Sequence, residues 1–306
     1  MKIKYGFNIV AKPEMCDINI FFILVVTFLP ITPYIIAMKK INIRCSMLPG
    51  YSDCPRRGAA KQFSDIITDA GFKLRDLPCS VGASLGTGCH VGSIMMADSV
   101  IDNGIAWSLS DAIEASIDKF RKLTENGVMW DNSTRQHGDA EKQIKILVNS
   151  FAKETLPIVK PVRTEYSRCA YIPDVEITGH TDIESDIGID DLKFGSANRV
   201  YIEQLGAYSL VRKSEDKKPV KQLRIFHMPR VPIRKPYPGM AVYEYDVNEA
   251  EKSAWYTINM IKAQVKKFIE TGNPWCFPAN HMSMMCSDKY CPAWGTDFCK
   301  MGSLKK

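Results

Sequence analysis

Apolar and polar residues alternate in two short runs near the middle of the chain, on either side of a brief polar turn. The first run spans residues 177–184 (ITGHTDIE), the second spans residues 187–194 (IGIDDLKF), and Ser185 and Asp186 lie between them. Two extended runs joined by a tight polar connection are typical of a β-hairpin. The next four residues, 195–198 (GSAN), can end the second strand and start a helix. The pattern therefore predicts strand, turn, strand and helix in direct succession.

The predicted hairpin brings three charged side chains together. Side chains alternate along a strand, so Asp191 and Lys193 project from one face, and Asp182 on the partner strand can come near Asp191. Two carboxylates form a hard-oxygen site that suits Mg²⁺ or Mn²⁺. A lysine two residues from one ligand can orient a water or stabilise a charged transition state. Asp190 is adjacent, but only Asp191 has the D-x-K spacing, and an isolated D-x-K favours a solvated surface hairpin.

The rest of the pattern predicts an α/β chain. In the helix after the hairpin, Gln204 and Tyr208 are four residues apart and share a face. Helical spacing of apolar residues, together with capping and breaking residues, predicts further helices, and two other runs are predicted as strands. The helices are predicted over residues 84–103, 109–125, 140–156 and 249–270, and the strands over residues 164–171 and 240–245.

Composition and charge add limits to this picture. The chain has 306 residues, 45% of them hydrophobic, which is enough for one large domain or two small ones. Its formal net charge of +6 is compatible with a polyanionic partner. Residues 212–235 hold nine Lys or Arg against two acids, which favours either a solvated loop or a loop that follows phosphates. No G-x-x-x-x-G-K-[ST] motif occurs, so no ATP-driven activity is predicted.

The first 37 residues form an apolar extension with three interpretations. Residues 18–37 are uncharged and long enough for a membrane span, although Pro30 and Pro33 interrupt them. A signal peptide is a second interpretation. In the third, which we favour, the reading frame begins too early and Met38 is the natural start. Residues 38–306 are then one domain in a cytoplasmic protein, and membrane association is expected only if residues 18–37 are a true span.

Four motifs, in this order, resemble those of PD-(D/E)XK nucleases of the RecB-like branch, which includes CRISPR-associated and phage exonucleases. They are residues 86–90 (GTGCH), 179–182 (GHTD), 191–193 (DLK) and 204–208 (QLGAY). The resemblance implies a restriction-endonuclease-like α/β fold, in which helices flank a mixed central sheet. It covers most of the chain from about residue 38 onward.

The resemblance also implies a role for each polar residue of the site. A Mg²⁺ or Mn²⁺ ion would be held by His90, Asp182, Asp191 and the Leu192 carbonyl. Lys193 would help to activate water. Gln204 and Tyr208 would position the substrate or Lys193, and would contact DNA.

Cysteine is abundant, with ten residues in the chain. Residues 51–57 (YSDCPRR) resemble the N-terminal motif of the same nucleases, whose cysteine is often a ligand of an iron–sulfur cluster. Arg56 and Arg57 of this motif could contact phosphates or cover the surface. Cys54 and three cysteines near the C-terminus would together supply four thiolates for a [4Fe–4S] cluster. A zinc site and ordinary buried thiols are the alternatives. The predicted ligands are Cys54, Cys286, Cys291 and Cys299, within a tail, residues 276–299, where Cys276 could replace one of them.

These observations favour a metal-dependent deoxyribonuclease. The resemblance implies an exonuclease that acts on single-stranded ends in DNA processing, recombination or repair. A non-catalytic nucleic-acid-binding module of the same fold is a second hypothesis, and an iron–sulfur structural or redox protein is a third. The second predicts that a catalytic residue is lost, and none is lost here; the third gains nothing from the D…D-x-K order.

Overall fold

The computed structural model describes residues 40–197 and 199–300. The predicted N-terminal extension, residues 1–37, lies outside them, so its three interpretations stay predictions. Within the described part of the chain, every helix is too short or too polar to cross a membrane.

The described residues form a mixed α/β structure that begins with a short strand and ends in irregular turns. The strands are β1 (Ile41–Arg44), β2 (Arg163–Ile172), β3 (Val175–Glu184), β4 (Gly188–Lys193), β5 (Gln222–His227) and β6 (Ala241–Tyr245). The helices are α1 (Leu48–Asp53), α2 (Pro55–Gln62), α3 (Ser64–Asp69), α4 (Val81–Asn103), α5 (Leu109–Thr124), α6 (His137–Ser150), α7 (Ile202–Asp216) and α8 (Val247–Thr271). A π-helical turn, Phe151–Thr155, extends α6.

The sheet is mixed, as the sequence predicts. Its path runs β1-β3-β4-β5-β6, and β2 pairs with β3 off that path. β1 is parallel to β3 and β4 is parallel to β5, whereas the β2–β3, β3–β4 and β5–β6 pairs are antiparallel. The restriction-endonuclease-like expectation of a mixed sheet with helices on it is therefore confirmed at the level of fold class.

β3 forks away from β4, and this fork is the central feature of the fold. β2 occupies one edge of β3 along its whole length, from Val175 to Glu184. On the other edge β1 pairs with residues 175–178 and β4 pairs only with Ile183 and Glu184. The stretch between them, which contains Asp182, pairs with no strand of the described chain on that edge. Polar side chains of β3 and β4 can therefore enter the opening between the strands.

Helices cover both faces of the sheet and form two hydrophobic cores. Alternation along the strands divides them, since Ile225 packs into one core and the next residue, Phe226, packs into the other. The first core holds α7, α8, the α1–α3 segment and the C-terminal turns. The second holds α4, α5 and α6. This arrangement is one domain with two helical layers around a central sheet.

The basic run at residues 212–235 is only partly a loop. It contains the end of α7 and all of β5, a central strand that the charge pattern concealed. Arg212 is buried and donates to the carbonyls of Gly188 and Ser185, at 2.6 and 2.8 Å. Arg230 is also buried and pairs with Asp131 at 2.6 Å. The expectation of a loop that follows phosphates is therefore wrong for these positions, whose charges are satisfied inside the protein.

Candidate active site

The β3–β4 fork positions the two predicted catalytic aspartates. Asp182 lies in the opening, where its Oδ2 accepts a hydrogen bond from the Leu192 N–H at 2.7 Å. The Asp182 carboxylate thus takes the place of the backbone acceptor that a paired β3 would offer to Leu192. Asp190 faces away from the opening and forms a two-point ion pair with Arg224 on β5, at 2.7 and 2.9 Å. Strand alternation therefore leaves Asp191, rather than Asp190, facing the site.

Asp191 is held from two sides. Its Oδ2 contacts the Lys193 ammonium group, which lies on the same face of β4. Its Oδ1 accepts a hydrogen bond from Gln204 Nε2 at 2.9 Å, and the same nitrogen lies 3.1 Å from the Tyr208 hydroxyl. Gln204 and Tyr208 share a face of α7, as their spacing predicts, but that face is buried against the sheet. Gln204 contacts Asp191 directly, whereas Tyr208 contacts Gln204.

α4 supplies His90, as the sequence predicts. The His90 Nδ1 lies 3.8 Å from Asp182 Oδ2, and its ring packs edge-on against Phe194 at 5.1 Å between centroids. Its imidazole also hydrogen-bonds to the Leu192 backbone, which places the Leu192 peptide at the site. α4 approaches α5 closely because Gly92 has no side chain; a Cβ there would lie 2.3 Å from the Ala112 carbonyl oxygen.

Glu165 is an additional acid that the structure brings into the site. It lies on β2 opposite Asp182, between the paired positions Thr164↔Ile183 and Tyr166↔Thr181. Its φ of +41° is a strained conformation for a residue with a Cβ. Ligand atoms of His90, Glu165 and Asp182 all lie within 4.8 Å of one another. The sequence motifs assign no role to Glu165, because strand alternation carries no sign of its reversed φ.

The electrostatics of this group suit a bound cation. Burial raises the pKa of Asp191 to about 6 although Lys193 opposes the rise, and burial with the nearby Asp182 raises the pKa of Glu165 to about 7. Burial also raises the pKa of Asp182. Burial, then Lys193, lowers the pKa of His90 to about 4, so its imidazole is neutral near pH 7. Crowded acids and a neutral imidazole are the donor set that a Mg²⁺ or Mn²⁺ ion would relieve.

The predicted cysteine ligands lie together, far from the fork in sequence but near one another in space. Cys54 lines one enclosed cavity with Cys286, Cys291 and Cys299, and we call these four residues the cysteine staple. Two buried guanidinium nitrogens beside the cavity, Arg56 Nη2 and Arg57 Nε, have no hydrogen-bond partner among the described residues. Guanidinium N–H donors beside the four cysteines suit a negatively charged metal–thiolate centre.

The geometry of the staple also bears on which metal it would hold. A tetrahedral zinc site with Zn–S bonds of about 2.3 Å would place its sulfurs about 3.8 Å apart. Among the residues that the structure describes, no three cysteine sulfurs lie within 4.8 Å of one another. The described sulfurs are therefore not arranged as a preformed tetrahedral site for a single ion. Cys276 does not line the cavity; its Sγ lies 3.6 Å from Thr271 Oγ1.

The surface position expected for Arg56 and Arg57 is wrong. Both side chains are buried, with residue exposures of 3% and 5%. Arg56 donates to the Phe277 carbonyl at 2.9 Å and stacks on Trp275, while Arg57 pairs with Asp53 at 2.7 Å. They were expected at the surface because the motif is charged, and long-range packing of the C-terminal turns over α2 encloses them. DNA contact by these arginines, and by the buried Gln204 and Tyr208, stays a prediction.

Comparison with known proteins supports the fold. No family model matches the chain, and no curated protein matches it. The structure is similar to a crystal structure named "Putative exonuclease" from Eubacterium rectale, with a TM-score of 0.52 at 10% sequence identity. The match covers 86% of this chain and 93% of that chain. A similarity at this identity concerns the fold alone.

Proposed function

We propose that this protein is a metal-dependent deoxyribonuclease of the PD-(D/E)XK type, related to the RecB-like exonucleases. The observation that carries the proposal is the β3–β4 fork, where Asp182, Asp191 and Lys193 meet His90 from α4. The order of these residues is the one that the motifs predict, and the fold resembles that of a protein named as an exonuclease.

The residues at the fork would hold one divalent cation, Mg²⁺ or Mn²⁺. Asp182, Asp191 and His90 would supply side-chain ligands, and the Leu192 carbonyl would supply a further oxygen. Glu165 lies in one group with His90 and Asp182 and could add a carboxylate. A cation bound there would polarise the phosphate and lower the pKa of a water ligand.

The chain's own groups do the remaining work. Gln204 fixes one oxygen of Asp191 and leaves the other directed toward Lys193. The Lys193 ammonium group, kept charged because Asp191 and Asp182 raise its pKa against the effect of burial, can donate to an attacking water or to a phosphate oxygen. A fixed donor at developing negative charge stabilises the transition state without reorganisation.

The cysteine staple would hold a [4Fe–4S] cluster with a structural role, and zinc is the alternative. Its four thiolates come from both ends of the described chain, so a cluster would join them. No residue of the fork belongs to the staple, so its role in phosphoryl transfer would be indirect.

The proposal is tested by a digest of end-labelled single-stranded and duplex DNA with Mn²⁺ or Mg²⁺, with and without EDTA. Metal-dependent release of short products is expected from the wild-type protein, with single-stranded ends preferred. Asp191→Asn should lower the rate by more than the roughly 10–100-fold that is typical when a partner behind a metal ligand is lost.

Asp190→Asn is the matched control, because it removes the neighbouring carboxylate from the opposite face of the same strand. It should keep the metal-dependent activity, once its folded fraction is equalised by thermal denaturation measurements. Cutting by Asp191→Asn at the wild-type rate, or loss of activity in both variants at equal folded fraction, would overturn the assignment.

A further inference from the structure

A cleft of about 550 Å³ opens beside the candidate active site. Its walls are α1, α2, the start of α7 and the turn at residues 283–285. Tyr201 forms part of one wall, and the Lys193 Nζ lies 4.8 Å from the centre of the Tyr201 ring. One aromatic side chain thus contacts both the catalytic lysine and the cleft, so a ligand in the cleft would lie next to the fork.

The charge of the cleft is positive. Arg57, Lys61 and Arg199 line it, and among the residues that the structure describes neither Lys61 nor Arg199 forms an ion pair with a carboxylate. Asp53 also lines the cleft, but it is bound to Arg57 and to the Ser283 hydroxyl, each at 2.7 Å.

The cleft lining contains more basic than acidic side chains. Glu203, in the first turn of α7, is the other acid of the lining, which leaves three bases against two acids. Partial desolvation, then repulsion from Arg57 and Arg199, lowers the pKa of Lys61, as expected where cations crowd one side of an opening. An anion in the cleft would relieve that crowding.

Apolar side chains stand between these charges. Val200 is 66% exposed and Met284 is 90% exposed, and both line the cleft. The neighbouring Met285 contacts the Arg199 guanidinium through its sulfur at 3.5 Å. Surfaces that bind single-stranded nucleic acid combine cations, which contact the phosphates, with aromatic and flexible apolar groups, which contact the bases. The lining of the cleft has this composition.

We propose that this cleft binds the single-stranded DNA that adjoins the scissile phosphate, with Lys61 and Arg199 on its phosphates. The bases would lie against Tyr201 and Met284. The proposal rests on the proposed nuclease function, because it identifies the substrate of that site as a single strand.

The buried position of the catalytic groups favours one strand over a duplex. Asp191 is 1% exposed, so the phosphate must reach inward between β3 and β4. A flexible single strand can bend into such an opening and continue along the adjoining cleft. A duplex has a persistence length of about 50 nm and would first have to be kinked or melted.

The test measures binding of fluorescein-labelled oligothymidylate by anisotropy across a range of salt concentrations. It uses the Asp191→Asn background, so that the label is not released by cleavage. Lys61→Gln with Arg199→Gln should reduce the slope of log K against log salt by about 1.4, because each phosphate contact to a single strand contributes about 0.7. Lys142→Gln with Lys145→Gln, two exposed lysines of α6 on the other face of the sheet, should leave the slope unchanged.

The outcomes separate this proposal from the nuclease assignment. If the wild-type protein cleaves DNA but the Lys61 and Arg199 substitutions leave the salt slope unchanged, the cleft assignment is overturned and the nuclease assignment stands. If the two substitutions reduce the slope but wild-type protein never cleaves, the cleft binds DNA and the nuclease assignment fails. Equal affinity for a duplex, with the same dependence on Lys61 and Arg199, would overturn the single-strand assignment.

Discussion

Asp191 is subject to opposing forces that define what the site can do. Burial favours its neutral form, whereas contact with Lys193 favours its charged form, and burial prevails enough to raise the pKa to about 6. Gln204 restrains the remaining oxygen with a neutral donor and so adds no third charge. A charged donor in place of Gln204 would bind the carboxylate more strongly and compete with a cation for it. The neutral amide therefore orients Asp191 and leaves it available as a ligand.

Glu165 provides the first test at the residue scale, because its strain and its charge can be separated. Glu165→Gln keeps the side chain's shape and removes the carboxylate charge. Glu165→Gly removes the carboxylate and also relieves the positive φ, which costs a residue with a Cβ about 1–3 kcal/mol. Both variants should cleave DNA more slowly and require more Mn²⁺, as expected if Glu165 contributes to the cation site.

Stability should distinguish the two Glu165 variants. Glu165→Gly should be as stable as wild type or more so in urea denaturation, because relief of strain offsets the roughly 0.5–1 kcal/mol cost of a glycine in a strand. If Glu165→Gln has the wild-type metal requirement and rate, Glu165 plays no part in the site. If Glu165→Gly is less stable by several kcal/mol, the positive φ is not a source of strain.

At the residue scale, local patterns indicated the position of Asp191 and failed at other positions. The D-x-K spacing selected Asp191 over Asp190, and in the structure Asp191 faces the fork whereas Asp190 pairs with Arg224. Glu165 depends on a reversed dihedral angle that no residue pattern encodes. Arg56 and Arg57 are buried by turns more than two hundred positions away in sequence. Charge alone predicted a surface position for them, because such distant packing leaves no local sign.

At the scale of elements, α7 is the helix whose placement orients the site. It carries Gln204 and Tyr208 and packs closely on α8 at Gly206, where a Cβ would lie 1.9 Å from the Ala250 carbonyl oxygen. That obstacle is backbone and cannot rotate away. The close approach of the two helices therefore requires glycine at this position.

Gly206→Ala should therefore destabilise the protein, by about 1–3 kcal/mol or more, because a methyl group is forced into a filled interface. Gly138→Ala is the matched control: Gly138 also lies in a helix, α6, and a Cβ there meets nothing within 4 Å. That variant should be neutral or slightly stabilising, since alanine has the higher helix propensity. Urea denaturation of both variants gives the comparison, and equal stability of the two would contradict the account of this interface.

A network of buried arginine contacts joins the β3–β4 hairpin to β2 and α7. Arg168 on β2 makes a two-point ion pair with Glu184 on β3, at 2.6 and 2.7 Å, and both side chains are fully buried. The same guanidinium reaches Glu215 and Asp216 at the end of α7. Arg212 holds the β3–β4 turn through the two carbonyls described above. β2, β3 and α7 are thereby fixed around the fork.

This network predicts how stability depends on pH. Burial alone would raise the pKa of Glu184, but the hydrogen bonds from Arg168 and Thr181 prevail and lower it. A carboxyl whose folded pKa is lowered stabilises the fold above its unfolded pKa, about 4.3 for Glu, and this contribution is lost as pH falls through the folded value.

The contribution of Glu184 to the free energy of unfolding should therefore decrease as the pH falls below about 5, measured by urea denaturation at each pH. Protonation of Asp191 and Glu165, whose pKa values are raised to about 6 and about 7, acts in the opposite direction and at higher pH. In Glu184→Gln the decrease should be shallower, on a lower plateau, because the titrating group is gone and Arg168 has lost its partner. Glu125→Gln, at the exposed end of α5, is the control and should follow the wild-type curve. A wild-type slope in Glu184→Gln would show that this pair does not couple stability to pH.

Elements were predicted well where periodicity is regular and poorly where elements are short or charged. The long helices α4 and α8 begin and end within about three residues of their predicted limits. β1 has only four residues, too few for a pattern to stand out. β5 was missed because its QLRIFH sequence lies inside a run that was interpreted by charge. It becomes a central strand only through pairing with β4 and β6, which are non-local contacts.

At the scale of the whole molecule, the two ends of the described chain meet over the first core. Phe277 and Phe298 from the C-terminal turns pack on Phe268 of α8, with ring centroids 5.3 and 5.9 Å apart. Phe298 also packs edge-on against Phe72, 5.4 Å away. The cysteine staple lies beside this aromatic group and joins the same segments. Apolar contacts therefore close this long loop, and a metal centre on the four cysteines would close the same one.

Metal binding by the cysteine staple can be tested directly. Protein purified without oxygen should be brown and contain roughly four irons per chain if the staple holds one cubane cluster. Cys299→Ala should lose the colour and much of the stability together, because a link across more than two hundred residues restrains the unfolded chain strongly. Cys169→Ala is the control, since Cys169 lies on β2 beside Glu176 and outside the staple; it should keep the iron.

Cleavage by Cys299→Ala should fall only in proportion to the folded fraction. Colourless wild-type protein with stoichiometric zinc would replace the cluster with zinc, and wild-type protein with neither metal would leave the four cysteines as packing residues.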